Sequence, residues 1–149
     1  MTLIKEKIDV VKDAKYKLVL IVGKPGTGKS KLIQDFANEE GLPIIDLNRI
    51  LGEEIPEGQT SEYITNFMKG FLQTYNKEII LLDNKRVLYS KNSEIDLLTF
   101  LKEISEDKVV VSTWNGMMED NKLIHIRSKL PENLTYPLSN LECEYVVCE

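Results

Sequence analysis

The sequence predicts an α/β domain of three layers, with helices on both faces of a mainly parallel, five-stranded sheet. Two observations predict it. Short apolar runs of strand length, "KLVLIVG", "LPIIDL", "EIILLDN" and "KVVVSTWNG", alternate with segments of helical periodicity, the pattern of βαβ units around a sheet buried on both faces. The first run also breaks into the glycine-rich "GKPGTG" before a helix resumes at "KSKL". Such a join between strand and helix sits at the carboxyl edge of a parallel sheet.

The elements follow in order. Leu3, Ile4, Ile8, Val11 and Ala14 recur at helical spacing, so the chain opens with an amphipathic helix. "KLVLIVG" is a buried strand, and "KSKLIQDFANEEG" a helix stopped at Gly41. "LPIIDL" is a second strand. "NRILGEEIPEGQT", with two glycines and a proline, is mostly loop. "SEYITNFMKGFLQTY" is helical, its stripe of Tyr63, Phe67, Phe71 and Tyr75 expected in the core. "EIILLDN" is the third strand, and "SEIDLLTFLKEIS" a helix with Ser93 as its N-cap. "KVVVSTWNG" is the fourth strand, ending in a turn, and "KLIHIR" the fifth. "LPENLTYPL" should be irregular, and "LECEYVVCE" a last edge strand.

With 149 residues, 42% hydrophobic and 29% charged, residues 1–149 suit one globular domain. The net charge is −5 and the pI about 5.1, against a general affinity for the nucleic-acid backbone, which needs a basic face. Lys31, Lys69 and the Lys85–Arg86 pair read as solvated charges on an acidic protein, so no direct nucleic-acid binding is expected. No apolar run approaches the roughly 20 residues that span a bilayer, and the N-terminus lacks a signal-peptide core. A cytoplasmic protein without membrane association is expected. Cys143 and Cys148 match no zinc or redox spacing and read as reduced structural thiols that would face opposite ways on a strand.

The break after the first strand matches G-x-x-x-x-G-K-[ST] in full as "GKPGTGKS", Gly23 to Ser30. Glycines at 23, 26 and 28 let the backbone curl with its N–H groups inward. The following helix adds oriented amides and the positive end of its dipole. Lys29 reaches the β- and γ-phosphates, and the Ser30 hydroxyl joins the shell of Mg²⁺, a cation that takes few protein oxygens beside phosphate oxygens. Lys24 and Pro25 shape the loop, and Thr27 and Lys31 complete the binding set. About fifty residues on, "IILLD" ends in Asp83 at the same sheet edge, where a carboxylate can support the metal. These are Walker A and Walker B elements of a P-loop NTPase with a RecA/AAA-like ASCE core, binding ATP and Mg²⁺. After the fifth strand only about twenty residues remain, so no helical lid domain is expected.

The hydrolytic kit is thin. Asn84 follows Asp83 where many such enzymes carry glutamate. An amide can hold a water but cannot take its proton, and general-base help is worth roughly 10²–10⁴ in rate. An arginine finger adds roughly 10³–10⁵, yet Arg49, Arg86 and Arg127 sit in no finger motif. In AAA-type and RecA-type folds a polar residue at the end of the fourth strand senses the γ-phosphate. Thr113 and Asn115 are candidates and Ser112 a weaker one. Asn115–Gly116 is also a strong turn dipeptide, and both readings stay open. Trp114 reads as packing. Lys29, Asp83, Asn84 and Asn115 form the candidate catalytic set. "NKRV", "NKEI" and "NKLI" lack the aspartate of a guanine reader, and scattered arginines suit a small-molecule kinase poorly.

Taken together, "GKPGTGKS", "IIDLNRIL", "IILLDN", "SEIDLLTFLKEIS", "VVVSTWNG" and "LTYPLSNL" resemble the small P-loop protein of BREX bacteriophage-exclusion systems, the BrxF-like family. The likeness runs from about Lys17 to Leu141. It implies a prokaryotic cytoplasmic protein working with other BREX-system proteins, which modify host DNA and restrict phage. It also implies ATP at Gly23–Ser30 with Mg²⁺ support from Asp83. The expected function is a slow ATPase serving as a regulatory or assembly subunit, with homo-oligomers possible. A non-hydrolysing, nucleotide-gated interaction module is the alternative, and a small-molecule kinase a weaker one.

Overall fold

A computed structural model describes residues 2–24, 26–46, 61–83, 96–126 and 134–148. The helices are α1 (Thr2–Val11), α2 (Lys29–Glu40), α3 (Ser61–Thr74) and α4 (Leu97–Ile104). The strands are β1 (Leu18–Gly23), β2 (Ile44–Asp46), β3 (Ile79–Asp83), β4 (Val109–Glu119), β5 (Lys122–His125), β6 (Leu134–Pro137) and β7 (Glu144–Val147). A 3-10 turn, Leu138–Asn140, precedes β7.

Five strands pair in parallel in the order β2-β3-β4-β1-β7. Strand β1, between β4 and β7, is aliphatic from Leu18 to Val22 because both of its faces are covered. Leu18, Leu20 and Val22 join Ile80, Leu82 and Val110 against α3 and α4. Val19 and Ile21 join Leu81 and Val111 against α1 and α2. Each such side chain contributes about 1.5–3 kcal/mol by burial. The layering is therefore the one expected, and no helical lid occurs among the described residues. Also among them, no helix is long and apolar enough to cross a membrane.

β7 is the edge strand that "LECEYVVCE" predicts, and it supplies the fifth parallel strand, beside β1. Lys122–His125 is a strand, as expected, but lies outside the parallel set. The cause lies in β4, which does not turn at Asn115–Gly116 but runs on to Glu119. The chain reverses at Asp120–Asn121, whose φ values of 52° and 60° are the left-handed pair that a two-residue I′ hairpin requires. Lys122–His125 then folds back antiparallel on Gly116–Glu119. "LTYP", expected to be irregular, adds antiparallel to β5 as β6. Its Pro137 ends the strand on an outer edge, where no ladder N–H is needed.

Three smaller expectations also shift. Asp96 rather than Ser93 caps α4, accepting from the Thr99 amide at 3.1 Å; Ser93 lies outside the described residues. In α3 the core face is Ile64, Met68 and Leu72, whereas Phe67, Phe71 and Tyr75 are partly buried at its margin and Tyr63 is exposed. In α1, Ile4, Ile8 and Val11 are buried and Leu3 is exposed; the helix ends before Ala14. Gly41 stops α2 at a left-handed φ of 68°, as its sequence predicts. The expected loop at 48–60 lies outside the described residues.

Candidate functional site

Parallel pairing brings the ends of β1 and β3 level with Thr113–Asn115 of β4. There the loop after Gly23 curls around the carbonyl of Lys24. That oxygen accepts from the Thr27 amide at 3.2 Å, the Thr27 hydroxyl at 2.7 Å and the Lys29 ammonium at 3.1 Å. Gly26 and Gly28 adopt φ values of 86° and 91°, which L side chains rarely allow. At Gly23 a Cβ would lie 2.3 Å from the Thr27 hydroxyl oxygen, so the curl needs a bare backbone there. Gly28 passes directly into α2, whose first-turn amides at Lys29, Ser30 and Lys31 have no intrahelical acceptor. Pro25 lies outside the described residues.

Lys29 is only 8% exposed. Burial lowers its pKa below the ordinary lysine value, and the nearby Asp83 charge works in the opposite direction. Asp83, the last residue of β3, joins two hydroxyls from two elements. Its Oδ2 accepts from Ser30 Oγ at 3.1 Å and its Oδ1 from Thr113 Oγ1 at 2.7 Å. Asn115 pairs with Gly23 across β4 and β1, and its side chain is exposed at the loop's root. Ser112 is buried, and strand alternation turns it to the opposite face; its hydroxyl donates to the Thr113 carbonyl. Lys24 is exposed, and Lys31 pairs along the helix with Asp35 at 2.9 Å. Asn84 and all three arginines, Arg49, Arg86 and Arg127, lie outside the described residues.

The residues present fit a nucleotide with a divalent metal. Left-handed glycines open the cradle, helix amides and a lysine supply positive charge, and the hydroxyl and carboxylate oxygens of Ser30 and Asp83 are the hard donors magnesium prefers.

One neighbour escapes the sequence motifs. Cys148 donates its amide to the Val22 carbonyl at 2.7 Å, and its Cβ lies 3.2 Å from where a Gly23 Cβ would stand. Burial raises the pKa of its thiol, with the Lys29 charge acting against that. The signal was the fifth strand: once "EYVV" is placed beside β1, its end must reach the root of the loop. Cys143 and Cys148 are both free thiols and pack on opposite faces of the sheet, as their spacing predicts.

Comparison with known proteins agrees with this geometry. A family model for the ATPase family associated with various cellular activities (AAA) matches residues 19–136. Among solved structures, the crystal structure of a DNA replication initiation factor superposes with a TM-score of 0.51 at 20% identity, over 99% of this chain and 44% of the other. This chain thus spans less than half the length of that protein, and at such identity the likeness speaks for the fold alone. No curated protein matches. The segment matched to the family runs from β1 to β6 and encloses the glycine loop, Asp83 and the end of β4: the chain belongs to the AAA family of ATPases.

Proposed function

We propose that this AAA domain binds Mg-ATP at Gly23–Ser30, hydrolyses it slowly alone, and serves as a cytoplasmic regulatory or assembly subunit of a BREX-type anti-phage system. The observation that carries the binding claim is the convergence on Asp83. Its carboxylate is tied to Ser30 at the start of α2 and to Thr113 on β4, beside Lys29 and a loop of left-handed glycines.

Lys29 and the first-turn amides of α2 offer positive charge to phosphate oxygens. Ser30 and Asp83 would hold Mg²⁺, which neutralises charge on the β- and γ-phosphates when bound. Asn115, level with Gly23 on the neighbouring strand, would offer its exposed amide to the bound nucleotide. Asn84, next after Asp83 in the chain, can orient a water but accepts no proton from it. Without a base the domain forgoes roughly 10²–10⁴ in rate, so efficient turnover depends on groups from a neighbouring copy or a larger partner.

The defence role is supported by the resemblance to the BrxF-like family. Two of its segments lie together in space: Trp114 of "TWNG" and Tyr136 of "TYPL" meet edge to face, ring centroids 5.9 Å apart. The test is Lys29→Ala in a phage-restricting host. Loss of both ATP binding and restriction is expected, and normal restriction counts against the proposal. A turnover of the isolated chain on the order of tens per second, ordinary for an efficient enzyme, refutes slow hydrolysis.

A further inference from the structure

We infer that Thr113 is a positioning residue: its hydroxyl holds the Asp83 carboxylate in place for the metal and does not itself contact phosphate. The inference rests on the Mg-ATP reading above and assigns the residue a role of its own within it.

The two hydroxyls on Asp83 are not equivalent. The bond from Ser30 is exposed and 3.1 Å long; the bond from Thr113 is part-buried and 2.7 Å long. Hydrogen bonds to an ionised acceptor are among the strong ones, and a lower local dielectric strengthens them further. Thr113 is 3% exposed and lies within β4, between β3 and β1, in register with Ile21. A β-branched side chain in the centre of a sheet has few rotamers to choose from. Ser30, in contrast, sits on the solvent side of the first turn of α2. Of these two bonds, the one from the β4 side therefore holds Asp83 the more firmly, and the Ser30 side is the one an incoming metal would meet.

The proton count separates this role from phosphate sensing. A threonine hydroxyl has one hydrogen, and here it is directed to Asp83 Oδ1. Phosphate oxygens accept and do not donate, so the hydroxyl has no hydrogen left for them while it serves Asp83. Two residues on, Asn115 faces the same side of β4 and retains an exposed amide.

The test measures ATP affinity by calorimetry in excess Mg²⁺ and again in EDTA, for wild type, Thr113→Val and Thr113→Ser. Wild type should bind more tightly with Mg²⁺. Thr113→Val should lose about tenfold of that gain, the scale of one hydrogen bond to a charged group, with its affinity in EDTA within twofold of wild type. Thr113→Ser should recover most of the gain. The inference is overturned if Thr113→Val keeps the full gain, if serine rescues no better than valine, or if valine weakens binding equally in EDTA. A wild type whose affinity ignores Mg²⁺ would instead overturn the Mg-ATP reading itself.

Discussion

Gly116→Ala probes the part of the fold least expected from sequence, the continuation of β4 into a hairpin. Gly116 pairs with His125 in the β4–β5 ladder. A Cβ added there would stand 1.8 Å from the carbonyl oxygen of Ile124 and 2.9 Å from its carbon. Both are backbone atoms, so no rotamer change relieves the clash, and β5 must retreat by more than an ångström. That carbonyl accepts the hydrogen bond of the Trp114 indole at 3.0 Å. Trp114 is fully buried, and a buried donor left without its partner costs about 1–3 kcal/mol. Overpacking adds about 1–3 kcal/mol. A loss near 3 kcal/mol corresponds to a fall in Tm of about 6–12 °C for a domain this size. Trp114 is the sole tryptophan, so urea unfolding followed by its emission reads stability and local packing together. The variant should unfold at lower urea, with red-shifted native emission. Gly70→Ala is the control: a Cβ at that helical position meets nothing within 4 Å, and alanine should stabilise by about 0.8–1 kcal/mol. If Gly116→Ala lies within about 0.5 kcal/mol of wild type, the range of an ordinary surface change, and its emission is unchanged, the hairpin geometry is wrong.

Other substitutions test the site and its supports. Lys29→Met should abolish nucleotide binding yet leave the free protein at least as stable as wild type at neutral pH. Burial depresses the folded-state pKa of Lys29, so holding it charged costs stability below that pKa, and the cost fades as pH rises through it. The variant's advantage in Tm should accordingly shrink toward alkaline pH; an advantage that grows would contradict the sign. Burial pushes the Cys143 thiol up to about 12, leaving almost no thiolate near pH 8. Mass spectrometry after brief iodoacetamide treatment should find it labelled far more slowly than in the unfolded protein, and equally rapid native labelling would refute the raised pKa. Asp96→Ala removes the cap of α4 and the acceptor of the Tyr136 hydroxyl. Thermal unfolding should show a loss of about 1–2 kcal/mol, and an unchanged Tm would deny the cap its role.

The sheet and its phosphate edge were legible because they rest on local signals. "LVLIV" and "IILL" are apolar at every position because both sheet faces are covered, and the glycine loop takes a left-handed φ at Gly28, where its motif places glycine. The hairpin was not legible, because Asn115–Gly116 carries the sequence signature of a turn while its structural role is the reverse. Gly116 lets β5 approach β4 closely, and the reversal falls five residues later, on Asp120–Asn121. The antiparallel return of "KLIHIR" and the place of the last edge strand beside β1 both depend on that reversal, which hid the contact of Cys148 with the loop. Thr113 was visible as a polar strand end, but its partner depends on the β3–β4 register, in which Leu82 faces Ser112 and Asp83 follows. The stripe in α3 was read one position off, since Tyr63, Phe67 and Phe71 adjoin the buried row Ile64, Met68 and Leu72 at the same period.

The most direct measurement of the central claim is a calorimetric titration of the full chain with Mg-ATP, alongside Lys29→Ala. The account predicts saturable binding at one site per chain, abolished by the substitution. Heat no different from dilution at millimolar nucleotide, or equal binding by the Lys29→Ala chain, would contradict it.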